Sequence, residues 1–507
     1  MTSRVIVLDF GAQYSQLIAR RVREAGVFSE VLPGDTPARV IREKQPQALI
    51  LSGGPASVFE PGAPSPDPAI FELGIPMLGI CYGMQIMAKM LGGTVEPAPD
   101  REYGRAEMTI TGDSLLLAGM ANPSVVWMSH GDLVRTAPPG FEVLASTPRT
   151  PIAAFAYPER HWWAVQFHPE VHHTPEGAAV FRNFLFRIAR LVPDWQPTAF
   201  VEQAVADVRA KVGDDRAFVA LSGGVDSAVA AAIARQAIGD RLTAVLIDHG
   251  LMRAGEIEEI QRAFADIDLH VVRAAPQFFR ALQGVTDPEM KRKVIGREFI
   301  RAFEQAQEAI GPTTVLIQGT VYPDVIESGG QGHAKTIKSH HNVGGLPSDV
   351  AFRVVEPLRW LFKDEVRRVG EQLGLPPSLV WRQPFPGPGL AVRVLGEVTE
   401  DKVAVLRQAD RIVREELVRA GLERQIWQAF AVLMNVRAVG VMGDNRTYGY
   451  AVAIRAVDSE DGMTADWVRL PYEVLDRMAS RIVGEVPEIT RVVYDVTSKP
   501  PATIEWE

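Results

Sequence analysis

The chain contains one cysteine, Cys81, set in the run Gly79-Ile80-Cys81-Tyr82-Gly83. The apolar stretch 76–80 before it reads as a buried strand, and 84–91 after it as a helix. A thiol on such a strand-to-helix turn is strained and exposed, and flanking glycines let backbone approach closely. The helix N-terminus lowers a thiol pKa below its free value of about 8.5, which supplies thiolate for attack. A lone cysteine is otherwise a small buried hydrophobe, but the elbow spacing favours a nucleophile. A nucleophile needs a base and a group that orients the base. His168-Pro169-Glu170, directly after the apolar stretch 163–167, offers both. His172 and His173 nearby raise a metal site as a rival; Pro169 opposes the helix that a zinc-binding HExxH requires, and the spacing differs. A plain surface turn is the remaining alternative.

A second constellation is Ser222-Gly223-Gly224-Val225-Asp226-Ser227, after the apolar run 218–221 and before an alanine-rich helical stretch that starts near Ala228. Small residues let backbone N–H groups close around a phosphate, and the helix end favours an anion. Asp226 could join Mg²⁺ through an oxygen ligand. No Gly-Lys-Ser/Thr occurs, so this is not a Walker loop, and a mere tight turn is the competing reading. Asp248-His249-Gly250 ends the next strand, where an adenosine could be read, and Gln318-Gly319-Thr320 ends a later one, followed by Tyr322-Pro323-Asp324. Lys338, His340, His341 and Asn342 precede Gly344-Gly345, and Lys363 opens a helix. Each lysine alone reads as a solvated charge; their grouping around Gly-rich turns favours phosphate.

These turns need strands and helices to carry them. Runs at 5–10, 48–51 and 76–80 alternate with helical patterns, which predicts a parallel sheet with both faces covered. Between 105 and 167 the pattern changes to shorter, partly antiparallel strands, including 127–128 and 162–166, and a helix over 175–190 closes the region. Residues 191–198, with Pro193 and Pro197, read as a linker. Strands at 218–221, 243–247, 269–272 and 314–317 then predict a second, doubly wound sheet with ligands at its carboxyl edge. The proline-rich run 383–389 suits neither a helix nor a central strand. After it, a helix over 399–420 and strands near 439–441, 451–456 and 491–494 form a small α/β domain. The predicted division is therefore 1–192, 193–382 and 383–507, in line with about three domains for 507 residues.

Composition limits the function. The chain is 47% hydrophobic and 23% charged, ordinary for a globular protein, and its formal charge of −9 argues against a nucleic-acid coat. One cysteine excludes an intrachain disulfide and a cysteine zinc cluster, and fits a reducing compartment. The apolar run 5–8 stops at Asp9, short of a signal-peptide core, and no stretch nears the ~20 apolar residues of a membrane span. The expectation is a cytoplasmic protein with neither nucleic acid nor membrane as a partner.

The segments 79–83, 168–170 and the turn 52–55 together resemble the triad glutamine amidotransferases over about 190 residues. That resemblance implies Cys81 as nucleophile, His168 as base and Glu170 as its orienter. It also implies an oxyanion hole at Gly54 and the amide of Tyr82, with Gln85 and the turn Ser129-His130-Gly131-Asp132 helping to hold glutamine. The run 222–227 resembles the PP-loop of ATP pyrophosphatases, which cleave ATP between the α and β phosphates and activate a carbonyl oxygen as its adenylate. ATP and pyrophosphate contacts are then implied for Ser222, Gly223, Gly224, Val225, Asp226, Ser227, Ala228, Asp248, Gly319 and Lys363, with Mg²⁺ at Asp226. The tail 499–507 and the stretches 339–347, 361–366 and 384–390 resemble the glutamine-hydrolysing GMP synthases, a likeness that covers nearly the whole chain. It implies xanthosine monophosphate (XMP) as substrate, contacted by Arg292, Pro386, Gly387, Lys499, Ile504 and Glu505. It also implies a C-terminal domain that binds XMP and pairs subunits into a homodimer. The Gly-rich loop 328–335 matches no firm motif. Rival readings are synthesis of NAD through an adenylate, a tRNA-thiolating enzyme, and a nucleotide sensor with an inactive amidotransferase fold. A thiolating enzyme is disfavoured by the absence of a second cysteine and of basic charge, and a sensor by the intact Cys81, His168, Glu170 and Asp226.

Overall fold

The computed structural model describes residues 3–12, 14–310, 315–329, 353–442, 445–459, 462 and 464–507. Lys338, His340, His341, Asn342, Gly344, Gly345 and most of the loop 328–335 lie outside the described residues. Packing divides the chain into two compact units, one built from the residues up to Ala199 and one that begins at Phe200. The division falls at the end of the proline-bearing stretch expected to be a linker.

The first unit holds β1 (Arg4–Asp9), β2 (Phe28–Pro33), β3 (Ala48–Leu51), β4 (Met77–Ile80), β5 (Thr94–Ile110), β6 (Ser124–Thr136), β7 (Glu142–Ser146), β8 (Ala154–Tyr157) and β9 (Trp162–Val165). They form one nine-stranded sheet in the order β2-β1-β3-β4-β9-β8-β7-β5-β6. The first five in that order run parallel and the rest antiparallel. All residues of β3 and β4 are buried, as an unbroken apolar run requires when helices cover both faces of a parallel sheet. β9 joins the two halves: it is antiparallel to β8 and parallel to β4, with Gly79 opposite Ala164. The sequence pattern grouped this strand with the antiparallel part, because a four-residue apolar run carries no sign of its partner. The closing helix Gly177–Arg182 continues as a wider π-type turn over Asn183–Ile188.

The second unit contains a five-stranded parallel sheet of β10 (Ala217–Leu221), β11 (Leu242–Asp248), β12 (Asp268–Arg273), β13 (Val315–Ile317) and β14 (Arg353–Val355), in the order β12-β11-β10-β13-β14. The strand order reverses between β10 and β13, which places a crevice at their carboxyl ends. A second sheet follows: the hairpin β15 (Gln428–Met442) and β16 (Asn445–Asp458), the short antiparallel β17 (Asp466–Trp467), and β18 (Ile489–Asp495), parallel to β16. Helices Glu400–Arg419 and Tyr472–Glu485 accompany it. One apolar cluster runs through both sheets, from Phe218, Val245 and Phe278 to Leu406, Val452 and Met478. The proline-rich run near residue 383 lies inside this compact unit.

Candidate active sites

Four residue groups of the first unit stand at carboxyl ends of parallel strands: Gly11 after β1, Ser52-Gly53-Gly54 after β3, Cys81 after β4 and His168 just beyond β9. Cys81 takes φ 50° and ψ −105°, and the helix Tyr82–Met90 begins at the next residue; the residue is buried rather than exposed as the turn predicted, because the surrounding strand ends close over it. A left-handed φ on a non-glycine residue is costly, and surrounding packing must enforce it. Here that packing depends on glycine. A Cβ on Gly83 would lie 2.2 Å from the Leu51 carbonyl oxygen, and one on Gly79 would lie 2.9 Å from the Gly83 backbone. The Gly83 N–H donates to the Ser52 carbonyl at 2.9 Å, and the Cys81 N–H to the Val165 carbonyl at 2.8 Å. The elbow is thus pinned to the strands on both sides.

His168 Nδ1 lies 2.7 Å from Glu170 Oε1, and both side chains are buried. The backbone is fixed as well: the His168 N–H donates to the Trp127 carbonyl at 3.0 Å, and Thr174 Oγ1 donates to the His168 carbonyl at 2.7 Å. A Cβ on Gly53 would sit 3.2 Å from the His168 ring and 3.8 Å from Cys81 Cβ, so imidazole and thiol flank the same glycine. Burial alone pushes His168 down, but the charges of Glu170 and Cys81 outweigh it and hold the imidazole well above its ordinary pKa. The N–H groups of Gly54 and Tyr82 have no acceptor among the described residues, so both are available to an oxyanion.

The other expected glutamine-holding residues are engaged within the fold. Gln85 Nε2 donates to the Asp132 carbonyl at 2.8 Å and to Gln166 Oε1 at 3.3 Å. The Ser129 carbonyl lies 3.6 Å from the Cys81 sulfur; Ser129-His130-Gly131-Asp132, expected as a turn, lies instead within strand β6, paired with β5. His130 is buried, with Nδ1 2.9 Å from the Asp132 carbonyl and Nε2 3.5 Å from Glu102, which also accepts from Thr147 and Thr150. Burial pushes His130 below its ordinary value, against the opposing pull of the Asp132 carbonyl and Glu102. Glu102, Thr150 and Gln166 went unnoticed in the sequence. Glu102 reaches His130 through cross-strand register between β5 and β6, which has a bulge between Pro97 and Glu102.

In the second unit the loop after β10 leads into the helix Val225–Ile238, with Gly224 as its N-cap. Ser227 Oγ accepts from the Ser222 N–H at 3.2 Å and donates to the Gly224 carbonyl at 3.1 Å, which draws the loop into a cup. Gly223 takes φ 80°. A Cβ on Gly319, beyond β13, would lie 2.9 Å from the Asp226 carbonyl oxygen, so the helix start leans directly on that neighbouring turn. Lys363 Nζ is 3.8 Å from Asp226 Oδ2, and Ala228 is buried in the first turns. Asp248 ends β11, where its Oδ1 accepts from the Gly250 N–H at 3.1 Å. The structure therefore brings Ser222–Ser227, Gly319 and Lys363 together, at the point where the sheet order reverses. Among the described residues no three His, Cys, Asp or Glu side chains converge as a metal cage. Magnesium is commonly held by one or two carboxylates plus substrate phosphates, and Asp226 at the mouth of the phosphate cup fits that pattern.

The C-terminal tail is docked. Arg455 donates to the Thr497, Thr503 and Ile504 carbonyls at 2.8–2.9 Å, and Ile504 and Trp506 pack against Phe430, Val432 and Ala453. Glu505 receives a two-pronged pair from Arg393, at 2.8 and 3.0 Å, and a bond from Gln428 at 2.7 Å. Lys499 Nζ donates to the Gly462 carbonyl at 2.8 Å, and Arg292 donates to the Glu507 carbonyl. The Pro386 carbonyl accepts from the Gly389 N–H at 2.9 Å, next to Gly387 in the proline-rich run. Arg292 and the tail thus share one neighbourhood through Glu507, while Lys499 is engaged separately at Gly462.

These features define a chain that joins a thiol amidotransferase module to an adenine-nucleotide module. The family models agree: glutamine amidotransferase class-I matches residues 6–188, NAD synthase 197–273, and GMP synthase C terminal domain 415–506. Curated relatives match along the full length. A glutamine-hydrolysing GMP synthase of Carboxydothermus hydrogenoformans is 58% identical over 510 residues, covering 100% of both chains. One of Thermobifida fusca is 56% identical, covering 99% of this chain and 98% of that one. Among solved structures, a glutamine amidotransferase from Thermotoga maritima covers 37% of this chain and 99% of its own, at 20% identity and a TM-score of 0.31. The chain belongs to the glutamine-hydrolysing GMP synthase family. No described helix is long and apolar enough to cross a membrane.

Proposed function

We propose that this chain converts XMP to GMP, using glutamine as the nitrogen source and ATP to activate the acceptor. The observation that carries the proposal is a buried Cys81–His168–Glu170 site and a phosphate cup at 222–227 in one chain. Cys81 thiolate attacks the glutamine carboxamide, and the Gly54 and Tyr82 N–H groups receive the oxyanion. His168 passes a proton to the departing nitrogen, and water releases glutamate from the thioester while Glu170 keeps the imidazole aimed. In the nucleotide half, the O2 oxygen of XMP bonds to the α-phosphorus of ATP as the α–β bridge breaks and pyrophosphate leaves. Backbone N–H groups of the loop and the helix end stabilise the departing charge. Ammonia then bonds to C2 and AMP departs. Ammonia is mostly protonated in neutral water, so producing it for an already activated acceptor preserves its nucleophilicity.

Asp226 would hold Mg²⁺, which when bound neutralises phosphate charge. The assignment extends to a division at 1–192, 193–382 and 383–507, with Arg292, Pro386, Gly387, Lys499, Ile504 and Glu505 toward XMP. It also includes a homodimer paired through the last segment and a cytoplasmic location. In support, Arg292 donates to Glu507 of the docked tail, Glu505 of the same tail is held by Arg393, and the C-terminal family model reaches residue 506. The NAD synthase match covers 197–273 alone, whereas the GMP synthase relatives match throughout. Incubation with XMP, ATP, Mg²⁺ and glutamine tests the reading: GMP, AMP, pyrophosphate and glutamate should appear in equal amounts. Turnover of nicotinic-acid adenine dinucleotide in place of XMP would refute it.

A further inference from the structure

Arg382 belongs to none of the groups assigned above, yet its side chain, only 10% exposed, reaches the phosphate cup. Its Nη1 donates to the Gly223 carbonyl. Its Nη2 lies 3.1 Å from Glu256 Oε1 and 3.2 Å from Glu259 Oε2. Glu256 is itself buried and accepts from the Arg253 N–H at 3.1 Å, which anchors the fork to the start of the helix Glu256–Ala263. On its backbone side, the Arg382 carbonyl accepts from Arg367 Nη2 at 3.4 Å.

The consequence follows from peptide geometry. In a trans peptide the C=O and the following N–H point in opposite directions. A guanidinium that holds the Gly223 carbonyl therefore turns the Gly224 N–H away from itself, toward the cup. That N–H has a weak internal acceptor, Ser222 Oγ at 3.5 Å, which a phosphate oxygen would readily replace. Gly223, at φ 80°, has no preference of its own that would hold the plane, and a Cβ there would meet Arg382 Nη1 at 3.2 Å. Two carboxylates face the one guanidinium, so Arg382 brings no surplus positive charge to the phosphate. What it supplies is orientation.

Resting on the reaction proposed above, we infer that Arg382 is a positioning residue for its nucleotide half, fixing the Gly223–Gly224 peptide so that the loop meets pyrophosphate. The residues that follow it are held independently. Arg382 directly precedes Gln383, which accepts from the Ala429 N–H at 2.9 Å, and Pro384, whose carbonyl accepts from Gln428 at 3.1 Å. The proline-rich run assigned to XMP is therefore anchored by bonds that do not involve the Arg382 guanidinium, and XMP binding should not follow its loss.

The test uses the full chain with ammonium as nitrogen source, so that the glutamine half does not enter. Lysine keeps the charge of Arg382 but cannot grip a carbonyl and two carboxylates at once. R382K should raise KM for MgATP about tenfold or more while KM for XMP stays within about threefold. E259Q, which loosens one anchor of the fork at a partly exposed site, should shift MgATP in the same direction by about two- to fivefold. Unchanged MgATP kinetics in R382K, or equal losses for both substrates, would overturn the inference. If R382K fails to fold, E259Q decides, and an unchanged MgATP KM there overturns it. A parent chain that releases no AMP from XMP and ATP would instead refute the proposed reaction itself.

Discussion

At the end of β4 the chain enters a helix through Cys81 at φ 50°; at the end of β10 it does so through Gly223 at φ 80°. Both turns stand at the carboxyl edge of a parallel sheet, and both rely on a glycine that lets the new helix touch a neighbouring strand or turn: Gly83 against Leu51 in one, Gly319 against Asp226 in the other. They differ in what lines the turn. Around Cys81 the side chains are buried and paired, His168 with Glu170 and Gln85 with Gln166. Around Gly223 the turn is lined by backbone, which Ser227 shapes by accepting from the Ser222 N–H and donating to the Gly224 carbonyl. Covalent attack needs a nucleophile and base with controlled protonation, which takes side chains shielded from water. Gripping an anion needs fixed dipoles, which backbone and a helix end supply. One strand–turn–helix unit thus serves two chemistries through the residues packed behind it.

Substitutions that strike one turn and spare the other probe this contrast. The largest effect is expected from Cys81→Ala, which should cut glutamine-dependent GMP formation by about 10⁴-fold or more while ammonium-dependent formation stays near the parent rate. Equal loss of both activities would break the comparison. Gly83→Ala and Gly319→Ala form the matched pair. Each added methyl overlaps backbone, at 2.2 and 2.9 Å, so each should cost about 1–3 kcal/mol in denaturant unfolding. Glutamine hydrolysis should fail in the first variant and MgATP binding in the second, as measured by glutamate release and nucleotide titration.

The smallest effect concerns pH. His168 is held above its ordinary value, so the stability it adds is full below about pH 6.5, its unfolded value, and is lost as pH rises through the raised folded value. Glu170→Gln removes the strongest force raising it. The imidazole titration followed by NMR should therefore move down, and the fall in stability above about pH 6.5 should flatten. Ammonium-dependent GMP formation, which does not use His168, should keep the parent's pH profile in this variant.

The local turns were legible because their spacing reflects steric need: Gly79 and Gly83 appear in the sequence where the elbow admits no Cβ. The strands over 48–51, 218–221 and 243–247 were likewise readable as unbroken apolar runs beside turn residues. Long-range partners were not. A local pattern says nothing of β9 pairing with β4, or of Glu102 meeting His130 across β5 and β6. Arg393 with Glu505, and Arg382 with the Gly223 carbonyl, join residues 112 and 159 positions apart, and nothing near each arginine points to its partner. The tail 499–507, readable from composition as loose or docked, is fixed by Arg455, buried beneath it. The strands β15 and β16 run far beyond the short segments expected: the polar outer part of β16, 445–450, lacks an apolar signature, whereas the start of β15, 429–433, is apolar and fully buried and was readable but passed over.

The central claim is that the thiol site and the phosphate cup serve one transfer of nitrogen. Glutamine labelled with ¹⁵N at its amide, supplied with XMP, ATP and Mg²⁺, tests it most directly. The account predicts label in the exocyclic amino group of GMP, matched by one AMP per product. Label that remains wholly in free ammonium while no aminated purine forms would contradict it.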